Sequence, residues 1–190
     1  MASTGAQGAG KFELLSEKQI HQRYLTLYNR TVRFPAREEQ PEAVHEFDVV
    51  GHPQSDFQFA VTFPFHPHGR GRKGGQVTVL REYCSGVNDM MWVLPTGGFS
   101  PKRHLNCLEC AKAEMSEEAH LEGGDWHPLT PAGHPGIPEV KWCANRFTPY
   151  LCIDPQEAAV PGARDAEEVI ECTWDRGHES PTYLWLEVDL

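Results

Sequence analysis

The sequence lacks any apolar run of the length a membrane-crossing helix needs, roughly 18 residues or more. Its opening MASTGAQGAG has neither the basic start nor the apolar core of a secretory signal. Positive charge is also scarce: 17 Lys and Arg stand against 27 Asp and Glu, a formal net charge of −10. A polyanion would have to be met through a local basic patch or through bridging cations, which excludes general nucleic-acid binding. Cysteine is thin and scattered, at Cys84, Cys107, Cys110, Cys143, Cys152 and Cys172. That is unlike the dense disulfide framework of a small secreted domain, so reduced thiols and a cytoplasmic chain are expected. No Arg precedes Arg23 and acids begin at Glu13, which argues weakly against an organelle address and leaves it open. No internal repeat is visible, and 190 residues with 39% apolar content suit one folded domain.

What is present divides into a tail, an extension and a body. Residues 1–11 are rich in Gly, Ala and Ser and are expected to be a disordered tail. Residues 12–45 read as an N-terminal strand extension, with Tyr24 to Pro35 a strand or a hairpin turning at Asn29-Arg30. Residues 46–190 form the body. Glu46 to His52, Phe57 to Phe65 and Gln76 to Cys84 read as strands, and HPHGRGRKGG between the last two is the one concentrated basic stretch. Met90 to Phe99 reads as a short strand passing into a Gly-Gly turn. The segment from Ser100 to Gly124 then offers Ser100 as N-cap, Pro101 as a first helical residue and Gly123-Gly124 as the stop. Val140 to Ile153 and Glu167 to Asp175 follow as apolar and strand-like runs. This order fits a mixed sheet with few helices.

The helix carries the chemistry. Glu114, Glu117 and Glu118 share one face over a single turn, beside the apolar positions Leu108, Ala111, Met115 and Ala119. Like charges so placed repel, and a divalent cation among them removes the penalty. A solvated acidic face is the plainer alternative for such a triplet. His104, Cys107 and Cys110 invite a zinc site, but a continuous helix spaces them too widely and no second Cys-x-x-Cys follows; small buried hydrophobes are the preferred reading. His66 and His68 offer a metal or phosphate contact, unsurprising among ten histidines. Trp92 offers a stacking surface for a nucleobase, although a strand-end aromatic more often serves the core.

LPTGG, a loop and then AEMSEEAHL resemble the Nudix box: a glycine, a glutamate, then Arg-Glu, an apolar residue, a Glu-Glu pair and a closing glycine. Gly97 takes the first glycine, and Glu114, Met115, Glu117, Glu118 and Leu121 the later positions. VLREY, WVLPTGG and DAEEVIECTWD are similar in order to the ADP-sugar diphosphatase branch of the Nudix hydrolases, from about Glu46 to Asp175. The resemblance implies an α/β fold, an α/β/α sandwich around a mixed sheet. It also implies Mg²⁺ or Mn²⁺ held by Glu114, Glu117, Glu118 and the Thr96 carbonyl. Glu117 then belongs to the catalytic set, and the general base is a glutamate after the box, Glu168 or failing it Glu139. Family likeness and the strand extension together suggest a homodimer.

The departures from the box are specific. The stretch from Gly97 to Glu114 carries a two-residue insertion, Leu105 and Ala113 stand where the box has Glu and Arg, and His120 replaces the closing glycine. Exchanging both partners of an ion pair for apolar residues can be nearly neutral, so Leu105 and Ala113 are expected to be packed substitutes. Cys84 stands where the branch has a phosphate-contacting Arg, and Val93 where it has a Glu. Phosphate neutralisation then falls to Arg81, to Arg70, Arg72 and Lys73 of the basic loop, or to the metals. The expected function is metal-dependent hydrolysis of the pyrophosphate bond in a nucleoside diphosphate compound. The alternatives are a catalytically silent Nudix-fold binding module and a structural subunit.

Overall fold

The computed structural model describes residues 11–68, 75–166 and 168–171. They fall into two compact units, one made of residues 11–53 and 138–145 and the other of the remainder. Among the described residues no helix is long and apolar enough to cross a membrane.

The first unit is an antiparallel meander of β1 (Glu13–Gln22), β2 (Thr26–Phe34) and β3 (Ala43–Gly51). Alternation along β2 and β3 gathers aromatic side chains: Phe12 meets Phe34 edge-on at 4.8 Å, and Phe34 stacks on Phe47 at 5.9 Å. Polar cross-strand pairs occupy other positions, Arg33 with Glu13 at 2.6 Å and Ser16 with Thr31 at 3.0 Å. The chain turns between β1 and β2, where the Arg23 amide donates to the Leu25 carbonyl. Of the strand and the hairpin left open for Tyr24 to Pro35, the strand is found: Asn29-Arg30 is mid-strand, with Arg30 held across the ladder by Glu17 and facing Phe47 in register. Residues 138–145 return beside β3, with the Val50 amide donating to the Trp142 carbonyl and the Ala144 amide to the Val50 carbonyl. The division placed after residue 45 falls inside β3.

The second unit contains β4 (Gln58–His66), β5 (Gln76–Val77), β6 (Leu80–Cys84), β7 (Asp89–Val93) and β8 (Thr96–Gly98) ahead of the helix α1 (Cys107–Ala119). After it come β9 (Leu121–Glu122), β10 (Asp125–Pro128), β11 (Ile137–Pro138, where the chain passes to the first unit), β12 (Arg146–Ile153), β13 (Gln156–Glu157) and β14 (Ile170–Glu171). The main sheet is mixed: β12 lies parallel to β4, while β10, β5 and β8 join antiparallel. A second sheet runs β14-β6-β7, and β9 pairs with β13.

Small residues bring α1 close to the main sheet. Ala60 of β4 and Cys110 and Ala111 of α1 are fully buried together, with Phe99, Trp126 and Tyr150 packed against them. One turn further on, Met115 and Ala119 enter a second cluster with Leu80, Leu121, Cys152 and Ile170. The helix thus joins both sheets through one stripe at i, i+4 and i, i+3 spacing.

The helix is shorter than the sequence suggests at both ends. Asn106 is the N-cap, in an extended conformation with its side chain accepting from the Glu109 amide at 3.0 Å. Ser100 instead closes a separate turn, its carbonyl taking the Arg103 and His104 amides and its own amide donating to His104 Nδ1. Leu105 lies between the two turns and is 93% exposed, so it is not a packed substitute for a lost charge, and Ala113 is half-buried. The helix stops at His120, which is left-handed at φ 55° where the Nudix pattern has glycine. Gly123 and Gly124 form a later turn at φ 72° and 74°. The second helical layer of an α/β/α sandwich is not found among the described residues, which hold this single α-helix beside the mixed sheet.

These ends make a contrast measurable by denaturant unfolding. Asn106→Ala should lower stability by about 1 kcal/mol through the lost cap, whereas Leu105→Ser should change it by less than about 0.5 kcal/mol. A loss of about 2 kcal/mol or more at Leu105 would mean that it packs after all.

Candidate functional site

Two carboxylates lie within the stripe that joins the sheets. Cys110, Glu114 and Glu118 are spaced by one helical turn each, alongside Ala111, Met115 and Ala119. Glu114 is 9% exposed and Glu118 4%. Glu118 Oε2 accepts the Thr96 amide at 2.8 Å, fixing β8 to the helix. Next to it, a Cβ on Gly97 would lie 1.9 Å from the carboxyl carbon of Glu114. Only a glycine lets that carboxylate lie against β8, which gives the first glycine of the motif a steric reason. Cys110 Sγ donates to the Gly97 carbonyl at 3.7 Å.

Other acids crowd the pair. Burial, then the charges of Glu117 and Glu168, push Glu114 up to about 7, with Asp165 adding to the shift and Arg103 opposing it. Burial pushes Glu118 up to about 9; the Thr96 amide opposes this, and Glu114, Glu82 and Glu168 add to it. Glu82, half-buried on β6, is raised by burial and by Glu168. Glu117 lies at the edge of the set, 3.3 Å from the exposed Arg103. These oxygen donors have the chemistry of a hard-cation site. As the side chains stand, however, no group of three or more His, Cys, Asp or Glu among the described residues is arranged to hold a metal ion.

The other expected residues are placed unevenly. Arg81 and Trp92 are cross-strand partners on β6 and β7, with the guanidinium 6.0 Å from the ring centroid. Trp92 is 52% exposed, so the core role is ruled out for it. Arg70, Arg72 and Lys73 lie outside the described residues. Glu168 is half-buried, and its Oε2 accepts the Asp165 amide at 3.1 Å. Glu139 belongs to the first unit, where its carboxylate accepts from Cys143 Sγ and Asn145 Nδ2, both at 3.1 Å. Thr96 touches the acidic set through its amide. Cys110 is fully buried and its thiol is pushed up to about 12, chiefly by burial. That fits the small-hydrophobe role better than a zinc thiolate. His66 is buried and pairs with Thr78 at 2.9 Å.

Four residues escaped sequence reasoning. Arg103 lies in the lengthened loop, where the insertion itself was the available signal. Glu82 sits inside VLREY on the face that strand alternation turns inward. Asp165 and Arg164 occupy a polar loop with no periodicity to single them out.

No family profile matches the chain, and no curated protein matches it by sequence. Its fold is shared with a solved structure of an ADP compounds hydrolase, at a TM-score of 0.57 and 15% identity over 87% of this chain and 80% of that one.

The raised carboxylates carry a pH signature. In the folded chain Glu114 and Glu118 hold protons above the ordinary carboxylate range, so between that range and about 9 the folded state binds more protons than the unfolded one. Stability is therefore greatest at the acid end of this window and declines as pH rises through it. With divalent ions chelated, the melting temperature should fall between pH 5 and pH 9 by clearly more in the native chain than in Glu118→Gln. Parallel curves for the two proteins would show that Glu118 titrates normally.

Proposed function

We propose that this chain is a Nudix-type, divalent-metal-dependent hydrolase that cleaves the pyrophosphate bond of a nucleoside diphosphate linked to another moiety, such as a nucleotide sugar. The observation that carries this reading is the pair of buried glutamates, Glu114 and Glu118, against Thr96 and Gly97, with Glu168 within electrostatic reach of both. Burying like charges together is costly unless a cation or proton compensates. The shared fold with a hydrolase of ADP compounds supports the same reaction class.

A pyrophosphate diester is an anion, and an acidic site accepts it only through interposed cations. Mg²⁺ or Mn²⁺ would be held by Glu114, Glu117 and Glu118 with the Thr96 carbonyl; when bound, it polarises phosphoryl oxygens and lowers the pKa of water. It would compete with Arg103 for Glu117. Glu168 takes the proton of the attacking water as a P–O bond forms and the bridging P–O bond breaks, leaving two phosphorylated products. Arg81 supplies charge for a substrate phosphate and Trp92 an exposed ring for the base. The exposed aromatic residues Phe12 and Phe47 of the first unit support a homodimer, and the absence of an apolar spanning helix among the described residues is compatible with a cytoplasmic chain. The competing reading, a silent ligand-binding module of the same fold, draws its support from the Arg103 to Glu117 pair, which neutralises one of the expected ligands.

Assay of nucleotide release from a panel of nucleoside diphosphate compounds, with Mg²⁺ and Mn²⁺ in parallel, separates the two. The native chain should turn over at least one compound, and Glu168→Gln should reduce kcat by about 100-fold with little change in Mn²⁺ binding. Binding of a panel member without turnover would establish the binding module instead. Undiminished activity in Glu168→Gln would move the base to another residue.

A further inference from the structure

We infer that Arg164 is a positioning residue for the acidic site: its guanidinium ties the last turn of α1 to the turn that carries Glu168, and so sets the helix carboxylates and Glu168 in fixed relation. The inference rests on the hydrolase reading for its catalytic consequence and on the hydrogen bonds alone for the tie itself. Arg164 donates from Nε to the Glu117 carbonyl at 3.2 Å, from one terminal nitrogen to the Glu118 carbonyl at 2.7 Å, and from the other to the Ile170 carbonyl at 3.0 Å.

The first two acceptors belong to the end of the helix, where carbonyls have no intrahelical partner and the macrodipole is negative. The last turn of α1 contains no basic residue of its own. An arginine 46 and 47 positions further along the chain supplies the cation instead, and it lands on the backbone of two acidic-set residues. The third acceptor closes the arginine's own loop. Within that loop the Asp165 amide donates to Glu168 Oε2 and the Glu168 amide donates to the Asp165 carbonyl, each at 3.1 Å. The far end of the loop is stitched to β6, where Ile170 pairs with Glu82 and the Tyr83 amide donates to the Val169 carbonyl.

Close packing supports the same tie. The Gly162 amide donates to Ser116 Oγ at 3.2 Å, and a Cβ on Gly162 would come within 2.4 Å of Glu117 Cγ. Gly162 and Arg164 therefore lie directly against the helix turn that bears Glu117 and Glu118. A planar guanidinium can serve three carbonyls in two directions at once; a lysine ammonium is a point donor on a flexible stem and cannot hold both elements in register. Arg164 reaches backbone carbonyls on both elements, so its effect passes through the placement of Glu168 and the helix glutamates.

The test uses the full chain with Arg164→Lys and Arg164→Gln, read by steady-state kinetics on the best compound of the panel with Mn²⁺ and by amide hydrogen exchange. In Arg164→Lys, kcat should fall by about 30-fold while KM stays within about 3-fold, since misplacing a group far more than losing substrate contact governs the rate. Exchange at Asp165 and Glu168 should quicken while the first turns of α1 stay protected, and the Mn²⁺ stabilisation of melting should persist, which distinguishes a displaced turn from an unfolded chain. Added guanidinium ion should restore part of the rate to Arg164→Gln. Native kcat in Arg164→Lys, or a lower melting temperature with kcat and exchange unchanged, would overturn the inference. If the native chain turns over no compound, the hydrolase reading falls and exchange alone decides: faster exchange in Arg164→Lys upholds the tie, and unaltered exchange removes it.

Discussion

The structure of the second unit depends on one constraint: the face of α1 that must be buried to join two sheets is also the face that carries Glu114 and Glu118. A helix that packed only through alanine and methionine would be indifferent to what faced it. Two buried carboxylates are not, because each leaves water at a cost that must be offset by a donor, a proton or a cation. Much of the surrounding sequence follows from that demand. Gly97 removes the Cβ that would collide with Glu114, Thr96 offers its amide to Glu118, and Ala60, Cys110 and Ala111 let the helix sit close enough for both.

The cations nearby do different work. Arg103 faces Glu117 at the exposed edge, where solvent weakens the pair. Arg164 donates to three main-chain carbonyls and so organises backbone. Arg103 only partly offsets the burial and the neighbouring acids that raise Glu114, and the Thr96 amide only partly offsets those that raise Glu118. Leu105 and Ala113 are not the packed apolar pair that the resemblance led one to expect, since Leu105 is exposed to solvent. Holding the helix falls instead to the Asn106 cap at one end and to Arg164 at the other.

What the sequence made legible follows physical periodicity. The strands β3, β4 and β12 were readable because alternation or continuous apolarity spans most of their length, and the acidic face was readable because helical spacing gathers Glu114, Glu117 and Glu118. The start of α1 was not, because Ser100-Pro101 and Asn106 both satisfy capping chemistry, and only the tertiary position of His104, buried and bonded to Ser100, decides between them. Of the strand and the hairpin left open over Tyr24 to Pro35, the strand is found, because the polar pair Asn29-Arg30 suits an exposed strand once Glu17 lies opposite. Trp92 looked like core by residue type, and its exposure follows from which face of β7 is covered, a matter of sheet packing and not of local pattern. Arg164 could not be foreseen, because the acceptors that place it on the helix and at Ile170 are main-chain carbonyls, which leave no trace in side-chain spacing.

The central claim is that the acids of α1 form a divalent-cation site. Titration of the apo chain with Mn²⁺, followed by the electron paramagnetic resonance of the free ion, tests it without requiring any substrate. The account predicts that the native chain removes the free-ion signal at substoichiometric additions and that the double variant Glu114→Gln, Glu118→Gln does not. Equal uptake by both proteins, or none by the native chain, would contradict it.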